Sequence, residues 1–326
     1  MMDATCSLCP LNCKIPEKGV GKCHARGNVN GKTISLGYGR VTTIIEGPVE
    51  QKLYHFYPGM RILSVGAYSC NLRCQWCQNH EISQGHPGNV SYDLIAPADV
   101  VAQALKRKLP AIAFTYSEPL VNYECVLETA MLAKRHGLMT ILKTNGFFEK
   151  EAFAKMIAWM DAVNIDVKGT AALYREACGI DLPDEPCEWV ILENLREAAS
   201  GRCHVEASTL AVHGYCEDDA ANEMLFASIH AMGGREIPLR ILKMIPDHKM
   251  RDVPPVEDGR LSMMKEFANR HLSHVYIDNA GMPNVTECSK CGKVLVTRNG
   301  LDVVENNLVD GHCPGCGHGN GFKTGN

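Results

Sequence analysis

No stretch of this chain approaches the roughly 20 consecutive apolar residues that span a bilayer, so no membrane partner is expected. Strong charge is missing too. The formal net charge is −4, which provides no basic field to attract nucleic acid. The opening residues, Met1-Met2-Asp3-Ala4-Thr5-Cys6, have neither a basic n-region nor an apolar h-region. A secretory signal is therefore not expected, and a cytoplasmic location is. Apolar residues make 45% of the 326 residues and charged residues 21%. That balance suits one large soluble domain with appendages.

Cysteine, by contrast, is plentiful, with sixteen in the chain. In a secreted protein that number would suggest disulfides. Here most fall in C-x2-C and C-x3-C groupings, which in a long cytosolic chain read as metal ligation. Cys125, Cys178, Cys187, Cys203 and Cys216 are scattered, and read as small buried hydrophobes. The densest group is Cys70-Asn71-Leu72-Arg73-Cys74-Gln75-Trp76-Cys77. Three thiolates can hold three irons of a four-iron cube and leave the fourth iron open to a substrate or cofactor. Half of a zinc site is the competing reading of the same spacing.

Two other groups carry metal-ligand spacing. Cys288-x2-Cys291 and Cys313-x2-Cys316 are each followed by glycine, as in zinc-ribbon knuckles where backbone amides approach thiolate sulfur. Closed structural zinc, or iron of rubredoxin type, is expected there. Cys6-x2-Cys9-x3-Cys13 with Cys23 beyond is a looser set. Zinc and a second iron–sulfur cluster both fit it, and a cluster there would relay electrons or accept them from a donor protein.

Residues 1–60 look irregular, rich in Gly, Pro and Cys. From 61 onward strand-like runs alternate with amphipathic helices. Strands are expected at 61–66, 111–115, 139–143, 162–167, 204–212 and 239–245, with a further one at 274–277. Helices are expected at 97–108, 121–136, 150–160, 187–200, 219–232 and 256–270. Six alternations predict an α/β fold built on a parallel sheet with right-handed crossovers. The expected organisation is an N-terminal Cys-rich metal-binding segment (1–60), a partial (β/α)6 barrel (61–280) and a C-terminal zinc-ribbon or rubredoxin-like lobe (281–326). In parallel α/β folds the site forms at the C-terminal ends of the strands. The cluster loop, Ser117-Glu118, Asn145, Asp166-Val167-Lys168 and His248 all fall there. The C-terminal lobe leaves the barrel late, and is expected to reach the open rim and to be dispensable for barrel folding.

The C-x3-C-x-aromatic-C pattern resembles the signature of the radical S-adenosylmethionine superfamily. Tyr116-Ser117-Glu118-Pro119, Asn145-Gly146, Asp166-x-Lys168, Cys77-Gln78-Asn79 and Ile245-Pro246-Asp247-His248 look like pyruvate formate-lyase activating enzymes. Residues 53–59 and 77–84, with Val275-Tyr276-Ile277-Asp278-Asn279, resemble the radical SAM protein of the AmmeMemoRadiSam system. The resemblance implies a [4Fe–4S] cluster at Cys70, Cys74 and Cys77, S-adenosylmethionine, and a low-potential flavodoxin or ferredoxin as donor. It implies reductive cleavage to a 5'-deoxyadenosyl radical that abstracts hydrogen, from a protein partner in the activating-enzyme branch. Glu118 would accept the methionine ammonium, or simply cap the helix that follows. Trp76 would face adenine, or fill the core. Asp166 and Lys168 would hold ribose hydroxyls and carboxylate, or only pair with each other. Ser117 and Asn145 fall within the matched motifs, Asn145 being equally suited to a turn. His248 would face the cavity, or water.

His213-Gly214, where relatives usually have Pro-Gly, and Leu239-Arg240 and Pro254-Pro255-Val256 depart from the pattern near the expected substrate side. Radical modification of a small molecule or another protein residue therefore stays open. So does a non-enzymatic reading, a metal-binding interaction module on a vestigial barrel. The ferredoxin-like insert of longer activating enzymes is absent.

Overall fold

The computed structural model describes residues 2–180, 182 and 186–324. The extreme ends of the two flanking segments, Met1 and 325–326, lie outside the described residues. A short N-terminal ladder pairs β1 (Ala4–Thr5) with β2 (Lys14–Ile15), and a hairpin joins β3 (Arg26–Val29) to β4 (Lys32–Ser35). The main sheet has nine strands, β5 (Arg40–Pro48), β6 (Arg61–Ala67), β7 (Asp93–Leu94), β8 (Ala111–Phe114), β9 (Met139–Thr144), β10 (Ala162–Asp166), β11 (His204–Ala211), β12 (Leu239–Lys243) and β13 (Val275–Asp278). Their spatial order is β13-β12-β11-β10-β9-β8-β6-β5-β7.

From β6 to β13 across this order the strands run parallel. They are covered by α2 (Pro97–Lys106), α3 (Tyr123–Arg135), α4 (Lys150–Ile157), α6 (Cys187–Ala199), α7 (Asp219–Gly233) and α8 (Asp258–His271), with the short α1 (His80–Ser83) and α5 (Ala171–Ala177) in the site loops. Strands covered in this way read as unbroken apolar runs, and Ala-Ile-Ala-Phe of β8 is buried at every position. The helices bury one stripe each. In α2 that stripe is Pro97, Val100, Val101 and Ala104, at the i, i+3, i+4, i+7 spacing of an amphipathic helix. Gly137, with φ +73°, follows the end of α3 where a left-handed residue closes the last turn.

Two expectations are corrected here. Residues 1–60 are not irregular, and the sheet is not wholly parallel. β5 pairs antiparallel with β6 from Val41↔Ala67 to Pro48↔Arg61, and β7 pairs antiparallel beyond it. Only Val41 and Gly47 of β5 are buried, so the strand lacks the unbroken buried apolar run of its neighbours, and the surrounding Gly and Cys obscure its length. The seven-residue α5 was also not anticipated.

The C-terminal lobe is a three-stranded antiparallel sheet, β14 (Asn284–Glu287), β15 (Val294–Asn299) and β16 (Asp302–Asn306). It seats on the N-terminal ends of the barrel strands, not on the open rim. Tyr276, near the start of β13, shares its hydroxyl with Thr286 Oγ1 (2.8 Å) and His55 Nε2 (2.6 Å). His55 stacks on Phe322 with centroids 4.0 Å apart. Arg298 is fully buried, bonding Thr286 Oγ1 at 3.0 Å and the Tyr54 carbonyl. The lobe thus plugs the base of the barrel through residues 53–56.

Candidate active site and metal centres

A cavity of about 340 Å³ opens at the C-terminal ends of the strands. Its walls include Cys70, Cys74, Trp76, Cys77, Ser117, Glu118, Asn145, Asp166 and Lys168, so the structure brings together nine of the ten cavity residues expected from sequence.

The cluster loop follows β6 and is held by its backbone. Arg73 and Gln75 donate N–H groups to Cys178 O (2.8 Å) and Ala177 O (2.9 Å) at the end of α5. Asn79 Nδ2 donates to Tyr116 O at 2.9 Å, tying the loop to the turn after β8. Donors already face sulfur. Leu72 N–H lies 3.3 Å and Asn145 Nδ2 3.6 Å from Cys70 Sγ, and the Ser83 hydroxyl lies 3.2 Å from Cys77 Sγ. Trp76 is buried within the core and also lines the cavity. Cys178, read from sequence as a simple hydrophobe, is fully buried beside Cys74.

Glu118 is both a cap and a cavity group. Oε1 accepts from Leu120 N–H (3.1 Å) and Thr144 Oγ1 (2.8 Å), and Oε2 from Asn145 N–H (2.8 Å). Burial outweighs these donors and pushes its pKa up to about 7. Asn145 caps its own turn by accepting from Phe147 N–H (2.9 Å), while its amide reaches Asn71 Oδ1 (2.8 Å). Gly146 takes φ +68°, and a Cβ there would meet Ile165 at 2.8 Å. Ser117 Oγ bonds Ala67 O at 2.7 Å.

Asp166 and Lys168 are an ion pair at 2.8 Å, joined by Lys143 at 2.5 Å from the other carboxylate oxygen. Burial opposes the charge on Asp166, but the two ammonium groups hold its carboxyl well below the usual range. Lys143 also reaches Asn164 Oδ1 (2.6 Å) and Ser208 Oγ (2.8 Å), so the barrel interior beneath the cavity is a polar network. Lys52 lies there too, its ammonium 4.8 Å from the Tyr116 ring centre. Burial first, then Lys143 and Arg240, push its pKa down to about 7. Neither lysine was anticipated, because one sits mid-strand and the other in the segment that looked irregular.

His248 does not line the cavity. It sits in a short turn with φ +52°, stacked on His80 at 4.3 Å. The left-handed backbone turns its side chain onto α1, which the Asp247-His248 dipeptide alone did not reveal.

The four C-terminal thiols converge. Cys288 and Cys316 are 3.6 Å apart, as are Cys291 and Cys313, and all four sulfurs lie within 4.8 Å of one another. Gly292 and Gly317 N–H groups return to Cys288 O and Cys313 O (2.9 and 2.8 Å), the knuckle geometry read from the sequence. This spacing suits one tetrahedral ion. Cys6, Cys9, Cys13 and Cys23 surround a small pocket with Leu8, Leu11, Val121 and Phe148.

The radical SAM superfamily model matches residues 65–227. The chain belongs to the radical SAM superfamily. It is therefore a radical SAM enzyme whose cofactors are a [4Fe–4S] cluster and S-adenosylmethionine. An uncharacterized Methanocaldococcus jannaschii protein, MJ0808, is 37% identical over 90% of this chain and 87% of its own length. A second protein of that organism, provisionally named glycyl-radical enzyme activating enzyme MJ1227, is 24% identical over 68% of this chain and 89% of its own. The fold is shared with a radical SAM methyltransferase from Sphaerobacter thermophilus, with a TM-score of 0.50 at 13% identity over 73% of this chain and 71% of that one. Among the described residues no helix is long and apolar enough to cross a membrane.

Proposed function

We propose that Cys70, Cys74 and Cys77 ligate the [4Fe–4S] cluster, and that the enzyme abstracts hydrogen from a protein partner, as an activating enzyme does. The observation carrying the site is the convergence of the three thiols with Glu118, Asp166 and Lys168 on one cavity. Its volume suits a single cofactor-sized ligand. The donor set fits the group, since three thiols are present and amide and hydroxyl donors face two of them.

When bound, the cluster and S-adenosylmethionine supply reductive cleavage to methionine and a 5'-deoxyadenosyl radical. The residues around them bind and orient. Glu118 offers a buried acceptor for an ammonium. Lys168 and Asp166 offer a donor and an acceptor to a carboxylate and ribose hydroxyls. Trp76 offers an aromatic wall to adenine, and Ser117 and Asn145 fix the turns that carry these groups. Apolar Leu210, Leu242 and Met244 line the opposite wall, where they exclude water and stray hydrogen donors from a reactive radical.

The protein-substrate reading is supported by the similarity to MJ1227 over most of both chains. A low-potential flavodoxin or ferredoxin is the proposed donor, and zinc the proposed ion of the C-terminal lobe. Anaerobic reconstitution and reduction should yield 5'-deoxyadenosine. Incubation with a candidate glycyl-radical partner in deuterated form should move deuterium into it. Cleavage whose 5'-deoxyadenosine takes no deuterium from any protein would end the activating-enzyme reading and leave the superfamily chemistry intact.

A further inference from the structure

We propose that Cys6, Cys9, Cys13 and Cys23 hold a second [4Fe–4S] cluster and that it passes electrons to the cluster at Cys70, Cys74 and Cys77. The sequence left zinc and iron–sulfur equally open at this site. The spacing of the sulfurs separates them. A mononuclear zinc site has Zn–S bonds of about 2.3 Å, which draws its thiolates to within about 4 Å of one another. Among the described residues, the C-terminal set is the group of three or more metal-ligating side chains that closes to within 4.8 Å. The N-terminal four do not, and neither do Cys70, Cys74 and Cys77. The N-terminal thiols therefore do not hold the mononuclear spacing of the C-terminal set.

A second observation points to an anion in the pocket. Arg26 is nearly fully buried on the pocket wall. Its terminal nitrogens pair with Glu124, but its Nε has no partner. A buried guanidinium N–H left without an acceptor is costly; Arg26 faces the Cys6 thiol, and a metal-bound Cys6 thiolate would supply acceptor sulfur there. The surrounding wall is apolar, as Leu8, Leu11, Val121 and Phe148 show.

The position favours a relay. Cys9 and Cys13 are partly exposed, whereas Cys6 and Cys23 are buried. On the inner side, Ser69, directly before Cys70, donates its hydroxyl to the Cys23 carbonyl. Asn71 faces the Cys9 thiol and also accepts from the Asn145 amide that approaches Cys70. One side chain thus separates the two thiol sets. A ferredoxin- or flavodoxin-class donor would lose one electron to the outer cluster, and that cluster would return to its oxidised state by giving one electron to the inner cluster. The relay rests on the radical SAM reading of the inner site, whereas the cluster assignment does not.

The test uses the full chain, reconstituted anaerobically. Metal analysis should find about eight irons and about one zinc per chain, and the reduced protein should show two cluster EPR signals, only one perturbed by S-adenosylmethionine. About four irons and two zincs would overturn the cluster assignment, and this reading needs no variant to fold. In the Cys9→Ser/Cys13→Ser protein, iron should fall by about four with the S-adenosylmethionine-responsive signal retained. Cleavage driven by reduced flavodoxin should fall about tenfold more than cleavage driven by dithionite. An unchanged ratio between the two reductants would overturn the relay while the second cluster stands. Absence of 5'-deoxyadenosine from the unmodified chain with dithionite would instead remove the radical SAM reading on which the relay depends.

Discussion

Glu206, fully buried in β11, accepts the backbone N–H groups of both Tyr54 (2.9 and 2.8 Å) and His55 (2.7 Å). The same carboxylate meets His204 Nε2 at 2.9 Å. One side chain thereby fixes the segment that joins the barrel base to the C-terminal lobe. Replacing Glu206 with Gln keeps the shape but weakens charge-assisted bonds and leaves a buried donor poorly matched, at about 1–3 kcal/mol. Chemical denaturation should show that loss in the midpoint, with cavity ligands still in place.

The lobe itself is tied to the base more tightly than its small core suggests. Cys288, Leu295, Val296, Cys313 and Phe322 make that core, so metal should provide much of its folding free energy. Yet Arg298, Phe322 and Thr286 also cover Tyr54, His55 and Tyr276. Truncation after residue 283 should therefore lower the melting temperature of the barrel, against the sequence-based expectation of a dispensable appendage. A truncated chain with an unchanged melting transition would show that these contacts contribute nothing.

How much of this was legible in the sequence depends on what each residue's signal was. The parallel strands and their helices were readable because burial on both faces leaves unbroken apolar runs, and Gly137 punctuates where it should. β5 was hidden because a strand buried only at Val41 and Gly47 carries no such run. The cavity residues at strand ends were legible through motif spacing. Lys52 and Lys143 were not, since a lysine in a sequence reads as surface, and only closure of the barrel places both beneath the cavity. His248 looked equivalent to the other rim residues, and a single left-handed backbone position diverted it. The role of residues 53–56 required knowing that the lobe returns to the barrel base.

Asp166 should be irreplaceable in the interior network. Asp166→Asn leaves Lys143 and Lys168 facing each other without their shared carboxylate. Breaking a buried pair in this way costs about 3–5 kcal/mol. Asp166→Glu, which keeps the charge, should recover part of the loss. Equilibrium denaturation of the three proteins in parallel checks the order.

Cys70→Ala, Cys74→Ala and Cys77→Ala should each abolish formation of 5'-deoxyadenosine while zinc in the C-terminal lobe stays bound. Chromatographic assay of the nucleoside and metal analysis on the same samples check this. Persistent cleavage in the triple variant would end the assignment of these thiols as cluster ligands.

Lys52 gives a pH signature with a definite sign. Its folded pKa is pushed down to about 7 by burial and by Lys143 and Arg240, while in the unfolded chain it lies near the ordinary lysine value of about 10.4. Below about pH 7 the ammonium is protonated in both states, and its burial penalty is fully present. Between about pH 7 and 10 the unfolded state binds more protons than the folded state, so stability rises with pH through that window. Lys52→Met keeps much of the side-chain bulk and removes the titration. The stability difference, Lys52→Met minus native, should therefore be largest at low pH and shrink as pH rises from 7 to 9.5 in matched denaturation curves. A difference that is constant across that range would show that Lys52 keeps its charge inside the barrel, with a partner that offsets its burial.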